Sequence, residues 1–207
     1  MSYIGATFSL SGVSQYTFTN LNFDGGNGLY VLSVQAEAAS ANRTINSVIV
    51  GGVTASLAYQ LTTPINTTST IGGLFYLRQS ASSNTVVINF SAAPSRCYVA
   101  VYRITNNLSD IPYQGRTASA SSGTGLTISF TSLSTNSVII SSQTNGLDTA
   151  GPITWTNATS VYDLSLGTGT TRITGATSSV ANGGNLTIST SHANSTQPIL
   201  LVGASWS

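Results

Sequence analysis

Apolar residues in this chain recur at every second position or in short unbroken runs, and no stretch carries the three-to-four-residue period of a helix face. Alternation is clearest in "YTFTNLNF" (Tyr16, Phe18, then Leu21, Phe23), "LTISF" (Leu126, Ile128, Phe130) and "NLTIST" (Leu186, Ile188). Runs apolar on both faces occur at "GLYVLSV", "LFYL", "TVVINF", "YVAVYRI", "SVII" and "ILLVGA", the pattern of central strands covered on two sides. Between them stand turn signals: "DGGNG" at Asp24 to Gly28, Gly51-Gly52, "SSN" at Ser82 to Asn84, "AAPS" at Ala92 to Ser95, "STN" at Ser134 to Asn136, "GLDTAGP" at Gly146 to Pro152 and "ANGGN" at Ala181 to Asn185. Gly51-Gly52 sits between two β-branched runs in "VIVGGVTASLAYQL". A type I′ turn needs positive φ at both central residues, so a hairpin over Val48 to Leu61 is expected. The spacing predicts roughly twelve to fourteen strands in an all-β, antiparallel, jelly-roll-like sandwich.

The order of these elements is repeated. "YTFTNLNFDGGNGLYVLSVQ" resembles "LTISFTSLSTNSVIISSQ", "INSVIVGGVTASLAYQL" is echoed by "PITWTNATSVYDLSL", "NTVVINFS" by "NLTISTS", and "CYVAVYRIT" by "PILLVGASWS". Pseudo-repeats over about 16–105 and 126–207 fit one sandwich whose halves supply equivalent strands to facing sheets. A single domain over 1–207 is therefore expected, and two adjacent small domains is the competing arrangement, with "TASASSGTG" in the segment 106–125 as the linker.

Only 5% of residues are charged, against roughly 25% in ordinary globular chains. Ser (33), Thr (30) and Asn (16) stand where charges normally would, there is no lysine, and the net charge is +1. Clustered basic residues, which a nucleic-acid binder needs, are missing: Arg43, Arg78, Arg96, Arg103, Arg116 and Arg172 are scattered. A near-neutral chain has little self-repulsion, which favours life in an assembly. The lone Cys97, in "RCYVAVYRI", excludes an internal disulfide and reads as a buried inert thiol. No apolar run spans a membrane as a helix, and "MSYIGATFSLSG" lacks the basic and unbroken apolar regions of a signal peptide, so Sec export is not expected.

Catalytic residue types are scarce. The acids are Asp24, Glu37, Asp110, Asp148 and Asp163, and His192 is the only histidine. Asp148 and Asp163 are the pair that one end of a sandwich might bring together for glycoside hydrolysis, but turn-forming Asp in loops is the commoner use. A triad through His192 lacks a G-x-S-x-G elbow, Cys/His metal clusters are excluded by count, and "NFDGGNG" offers too few carboxylates for calcium. No cofactor is expected. The seven N-x-[ST] sequons, starting at Asn42, Asn66, Asn89, Asn107, Asn157, Asn185 and Asn194, barely exceed what such a composition yields by chance.

Taken in order, "LYVLSVQ", "INSVIVGGVTASLA" (an I-x-S-V-x-V-G-G-V-x-A-x-L hairpin), "GLFYL", "NTVVINFS", "RCYVAVYRITN" and a closing "ASWS" resemble a family of β-sandwich modules in tailed-bacteriophage virion proteins. The likeness runs from about Tyr16 to Ser207, with the hairpin as its most specific part. It implies a non-enzymatic virion component, made in the host cytoplasm: a head decoration protein, head fibre, or tail-fibre or tail-appendage module. Its expected partners are further copies of itself, a trimer fitting the usual build of phage fibres, and other virion proteins. No catalytic residue carries over. Two alternatives stand beside it. One is a carbohydrate-binding module for host glycans, with Tyr113, Trp155 and Tyr162 stacking on sugar rings. The other is an extracellular filament subunit completing a neighbour's sheet.

Overall fold

The structure, a computed structural model, describes residues 1–24, 28–39, 42–63, 68–78, 82–147, 149, 151–167 and 171–207, the side chains of Asp24 and Ser82 excepted. Strands hold 66% of the chain and helix 1%, so the all-β expectation holds. The first half builds an inner sheet from β1 (Ser2–Ser9), β4 (Leu29–Ala39), β7 (Ser56–Thr62), β8 (Thr68–Arg78) and β11 (Arg96–Ile104), in the order β1-β11-β4-β8-β7. Its outer sheet contains β2 (Gln15–Phe18), β5 (Ile45–Val50), β6 (Val53–Thr54) and β10 (Val86–Phe90), ordered β2-β10-β5-β6, while β3 (Phe23–Asp24) and β9 (Ser82–Ser83) form a separate short ribbon. The second half repeats the plan. β12 (Gln114–Ala120), β14 (Ser137–Asn145), β16 (Thr159–Ser165), β17 (Arg172–Val180) and β19 (Ile199–Trp206) run β12-β19-β14-β17-β16, and β13 (Thr127–Leu133), β15 (Thr154–Thr156) and β18 (Gly184–Ser191) run β13-β18-β15 outside them.

Three apolar clusters separate four layers. Tyr30, Leu32 and Val34 of β4 pack with Val48 and Ile88 of the first outer sheet, and Ile139 and Leu201 pack with Phe130 and Ile188 of the second. Between the inner sheets lie Leu29, Val31, Leu74, Tyr98 and Tyr102 against Ile140, Ile173, Leu200, Val202 and Trp206. The two equivalent inner sheets thus face each other across the middle, and each half adds a further sheet outside. Five of the six doubly apolar runs are strands of the inner sheets (β4, β8, β11, β14, β19), which are covered on both faces. "TVVINF" is different: β10 alternates buried with half-buried residues, because Val87 pairs with Ile49 across the strands and each covers the other on an otherwise wet face.

The inner sheets face each other in reversed order. Gly72 of β8 meets Leu200 of β19, Gln35 of β4 meets Thr144 of β14, and Gly175 of β17 meets Tyr102 of β11. A pseudo-twofold axis therefore passes between β4 and β14, and each side edge of the stack pairs strands from different halves: β7 with β12, and β1 with β16. The segment 106–125 is not a linker, since β12 lies inside it and occupies the place in its sheet that β1 holds in the other. Its "QGRTASA" lacks the apolar alternation that marks a strand, because it is an edge strand of small residues over which the Tyr59 ring lies, at Gly115.

Gly51 (φ 55°) and Gly52 (φ 88°) form the expected two-residue turn, with Val50 paired to Val53 and Ile49 to Thr54. The hairpin is shorter than the sequence suggested. After Ala55, whose N–H still donates to the Val48 carbonyl (2.8 Å), the chain crosses to the inner sheet, and β7 pairs with β8 instead of β5. Asn157 (φ 62°) turns the equivalent corner between β15 and β16. Left-handed backbone costs a side-chain-bearing residue roughly 1–2 kcal/mol. The Gly51→Val/Gly52→Val double variant is therefore expected to lose about 2–4 kcal/mol in denaturant unfolding; an unchanged midpoint would contradict the turn's role.

Few charges enter the layers. Cys97 is fully buried among the first half's apolar residues, and burial pushes its thiol well above the ordinary range. Glu37 of β4 forms an ion pair with Arg96 (3.3 Å), whose Nη1 donates to the Leu166 carbonyl of the other half (2.7 Å). Burial raises the Glu37 pKa, and the Arg96 charge only partly opposes it. A carboxyl with a raised folded-state pKa contributes stability that is complete below its unfolded value and lost as pH rises through the folded one. Wild type should therefore lose this contribution between acidic and neutral pH, and Glu37→Gln should flatten that part of the stability–pH profile in urea unfolding at stepped pH. Parallel profiles for the two proteins would refute it.

Candidate interaction edges

The sequence-predicted sugar contacts do not assemble. Tyr113 is exposed, just ahead of β12. Trp155 of β15 is half-buried and aims its Nε1 inward to Thr174 Oγ1 (3.0 Å). Tyr162 is buried between the inner sheets: its hydroxyl donates to Gln35 Oε1 (2.7 Å) and its ring lies 5.0 Å from that of Tyr98. Tyr162 is therefore corrected from a surface contact to a core residue. The signal that places it is Gly175, its cross-strand partner, whose missing side chain leaves room for the ring. Tyr113 lies ahead of the edge strand β12, whereas the Trp155 indole bonds to Thr174 of β17, three strands across the same inner sheet.

The catalytic candidates among the described residues, Asp163 and His192, each have partners within the chain. Asp163 accepts from Arg172 (2.7 and 2.9 Å) and from the Ile153 N–H (3.1 Å). Asp148 and the core of "DGGNG" lie outside the described residues. His192 Nδ1 is 2.6 Å from the Ala193 carbonyl oxygen. Among the described residues no group of three or more His, Cys, Asp or Glu could hold a metal ion. Each arginine has a partner within the chain: Arg43 donates to the Ala93 carbonyl, Arg116 to that of Ser129, Arg103 lies over the Tyr30 ring, and Arg78, Arg96 and Arg172 pair with acids.

What the fold does bring together is a pair of equivalent open grooves, one on each edge. The first, about 460 Å³, lies at the corner where β6 passes into β7; it is lined by Val53, Thr54 and Ser56, by Tyr76 to Arg78 at the end of β8, and by Asp110 and Ile111 ahead of β12. The second, about 500 Å³, lies at the corresponding corner between β15 and β16. There Asn157 to Thr159, Thr177 to Ser179 at the end of β17, and Met1 ahead of β1 take the same places. The pseudo-twofold relates one groove to the other, and each is built from both halves.

Their chemistry differs. Beside the first groove the connection from β11 to β12, residues 105–113, is tied down at several points. Leu108 and Ser109 N–H groups donate to the Ser207 carbonyl (2.7 and 3.2 Å), Tyr113 N–H to that of Ser205 (2.8 Å), and Trp206 Nε1 to that of Asp110 (3.1 Å). The Arg78 guanidinium, with Asn107 as a second donor, holds the Asp110 carboxyl below the usual carboxylate range. Yet this anchored segment turns apolar side chains outward: Leu108 is 91% exposed and Ile111 68%. The second groove is lined by Met1 and otherwise by small polar side chains and Ala158, with no charged side chain. The sequence reading singled out Tyr113 in this segment but not Leu108 or Ile111; the usable signal was apolar residues in a stretch with no counterpart in the internal repeat.

No protein-family model matches the chain, and no curated protein or solved structure does. Function must therefore be argued from the surface itself.

That surface is divided. The outer face of the second outer sheet is a hydroxyl array: Thr127 pairs with Ser189, and Ser129 with Thr187, each at 3.0 Å. Gln15, Asn89 and Ser47 are linked in the same way across the first outer sheet (2.8 and 2.9 Å). The exposed large apolar side chains avoid both faces. Val53, Leu57, Tyr59, Ile111 and Tyr113 gather along β6, β7 and the approach to β12; Met1, Tyr3, Phe8, Leu10, Val13 and Leu164 gather along β1, its connection to β2, and β16; Leu108 caps one end.

Proposed function

We propose that this chain is a non-enzymatic structural subunit displayed on a bacteriophage virion, as a capsid decoration protein, head fibre or tail-appendage module, working as a homo-oligomer. The observation that carries the reading is the division of the surface into polar faces bonded within themselves and apolar edges, in a molecule with few charged residues, three of whose six arginines are paired with acids. Such a surface suits burial against neighbours, because its polar groups are bonded to one another and little charge has to be desolvated. The hairpin pattern that resembles phage virion modules forms a Gly-Gly corner in the fold, and the resemblance supplies the setting. The test is imaging of purified particles with an antibody raised against this protein, together with its mass in solution. Label at regular positions on the particle and a multimeric mass are the expected results. Unlabelled particles from a producing lysate would overturn the virion setting, and a strictly monomeric protein at tens of micromolar would overturn the assembly.

A further inference from the structure

We infer that Asn182 is a site of spontaneous covalent modification, where the folded protein closes a succinimide ring with Gly183 and then opens it to aspartate or isoaspartate. This rests on neither the virion setting nor self-association. It starts from "ANGGN", a turn whose chemistry the fold leaves unused. Asparagine followed by glycine is the pair most prone to this reaction, because no Cβ shields the attacking nitrogen and glycine adopts the backbone angles that ring closure needs.

The chain has three Asn-Gly pairs, beginning at Asn27, Asn145 and Asn182, and Asn27 lies outside the described residues. The other two are in opposite situations. Asn145 ends β14, fully buried and paired on its two sides with Arg172 and Ile199. Its Oδ1 accepts from Gln143 Nε2 (2.6 Å), and the Gly146 N–H, whose nitrogen would have to attack, donates to the Pro198 carbonyl (2.9 Å). Asn182 is exposed in the connection from β17 of the inner sheet to β18 of the outer one. Among the described residues neither its side-chain amide nor the Gly183 N–H has a hydrogen-bond partner.

The reaction needs only base and water. The Gly183 nitrogen gives its proton to hydroxide and bonds to Asn182 Cγ, the Cγ–Nδ2 bond breaks, and ammonia leaves. Water then opens the ring at Cγ to give aspartate, or at the backbone carbonyl carbon to give isoaspartate. Either product adds one carboxylate, so the formal net charge of +1 falls by one to zero, where repulsion between copies is least. Isoaspartate also lengthens a turn that packs closely on the β13–β14 connection: a Cβ at Gly183 would stand 2.7 Å from the Leu133 carbonyl oxygen and 3.3 Å from the Thr135 nitrogen.

The test keeps the whole folded protein in warm, mildly alkaline buffer and follows each pair by peptide mass spectrometry, with isoaspartate read by enzymatic methyl labelling. Trypsin separates the two pairs at Arg172. The buried pair reacts only through local opening, so Asn182 is expected to convert roughly tenfold faster than Asn145, or more. In denaturing urea the two should convert at like rates, and Asn182→Gln, an exposed change, should remove the label from residues 173–207. Equal rates in the folded protein, or no conversion at Asn182 while the urea sample converts, would overturn the proposal. So would a difference between the pairs that persists in urea, because the fold would then not be selecting the site. Label retained in Asn182→Gln would place the reaction at Asn185 or Asn194 and overturn it equally.

Discussion

Gly175→Val is expected to destabilise the protein by about 3 kcal/mol, the upper end of what an overpacked core costs. A Cβ at this position would stand 2.4 Å from Tyr162 Cε1, 2.5 Å from Cζ and 2.6 Å from Tyr102 Oη. None of these atoms has free space to retreat into, since Tyr102 is fully buried and Tyr162 is held by Gln35 and packed on Tyr98. The inner sheets must separate or the rings leave their positions. Urea unfolding should show a lower midpoint with an unchanged slope, and Gly175→Ala a smaller shift of the same sign. A midpoint equal to wild type would mean that the central gap is looser than its geometry shows.

Trp206→Ala should cost about 3–5 kcal/mol, the usual range for emptying a large aromatic site. Trp206 is the largest fully buried side chain, packs edge-on against Tyr76 of the other half (6.5 Å between centroids), and donates Nε1 to the Asp110 carbonyl (3.1 Å). The substitution therefore loosens the central gap and releases one anchor of the segment 105–113. Thermal unfolding should show the stability loss, and amide exchange should rise at Leu108 to Tyr113 more than in the outer sheets. Uniform exchange across the chain would separate the tryptophan from that segment.

Much of the fold was legible because the residues that specify it have few alternatives. Two adjacent glycines between β-branched runs admit one tight turn, and the doubly apolar "LYVLSV", "YVAV" and "ILLV" need cover on both faces. Less legible was what depends on partners distant in sequence. Ala55 gives no local hint that the chain changes sheets there. Gln35 and Gln143 align in the internal repeat, yet they serve different gaps. Gln35 reaches across the middle to the Gln143 carbonyl (2.6 Å) and Thr144 Oγ1 (3.1 Å), while the Gln143 amide oxygen accepts from Thr190 within its own half. A one-residue change of phase turns a strand over, and weak repeats do not fix phase. Tyr162 was misplaced for the same reason: Val161 is the extra residue of the bulge that carries its ring inward.

Each half closes its own outer gap from its own residues and leaves one broad apolar face that only the other half covers. A chain of half the length with this plan would have to pair with an identical copy about a true twofold, and every contact across the join would then occur twice. Fusion of two such protomers through residues 105–113 removes that constraint. On one side of the axis Gly72 makes room for Leu200, and on the other Gly175 makes room for Tyr162 and Tyr102. At the centre Gln35 meets Thr144 and not a second glutamine. Within one chain the interface between the halves need not be self-complementary, and the two outer edges can hold unlike shapes that an identical pair could not.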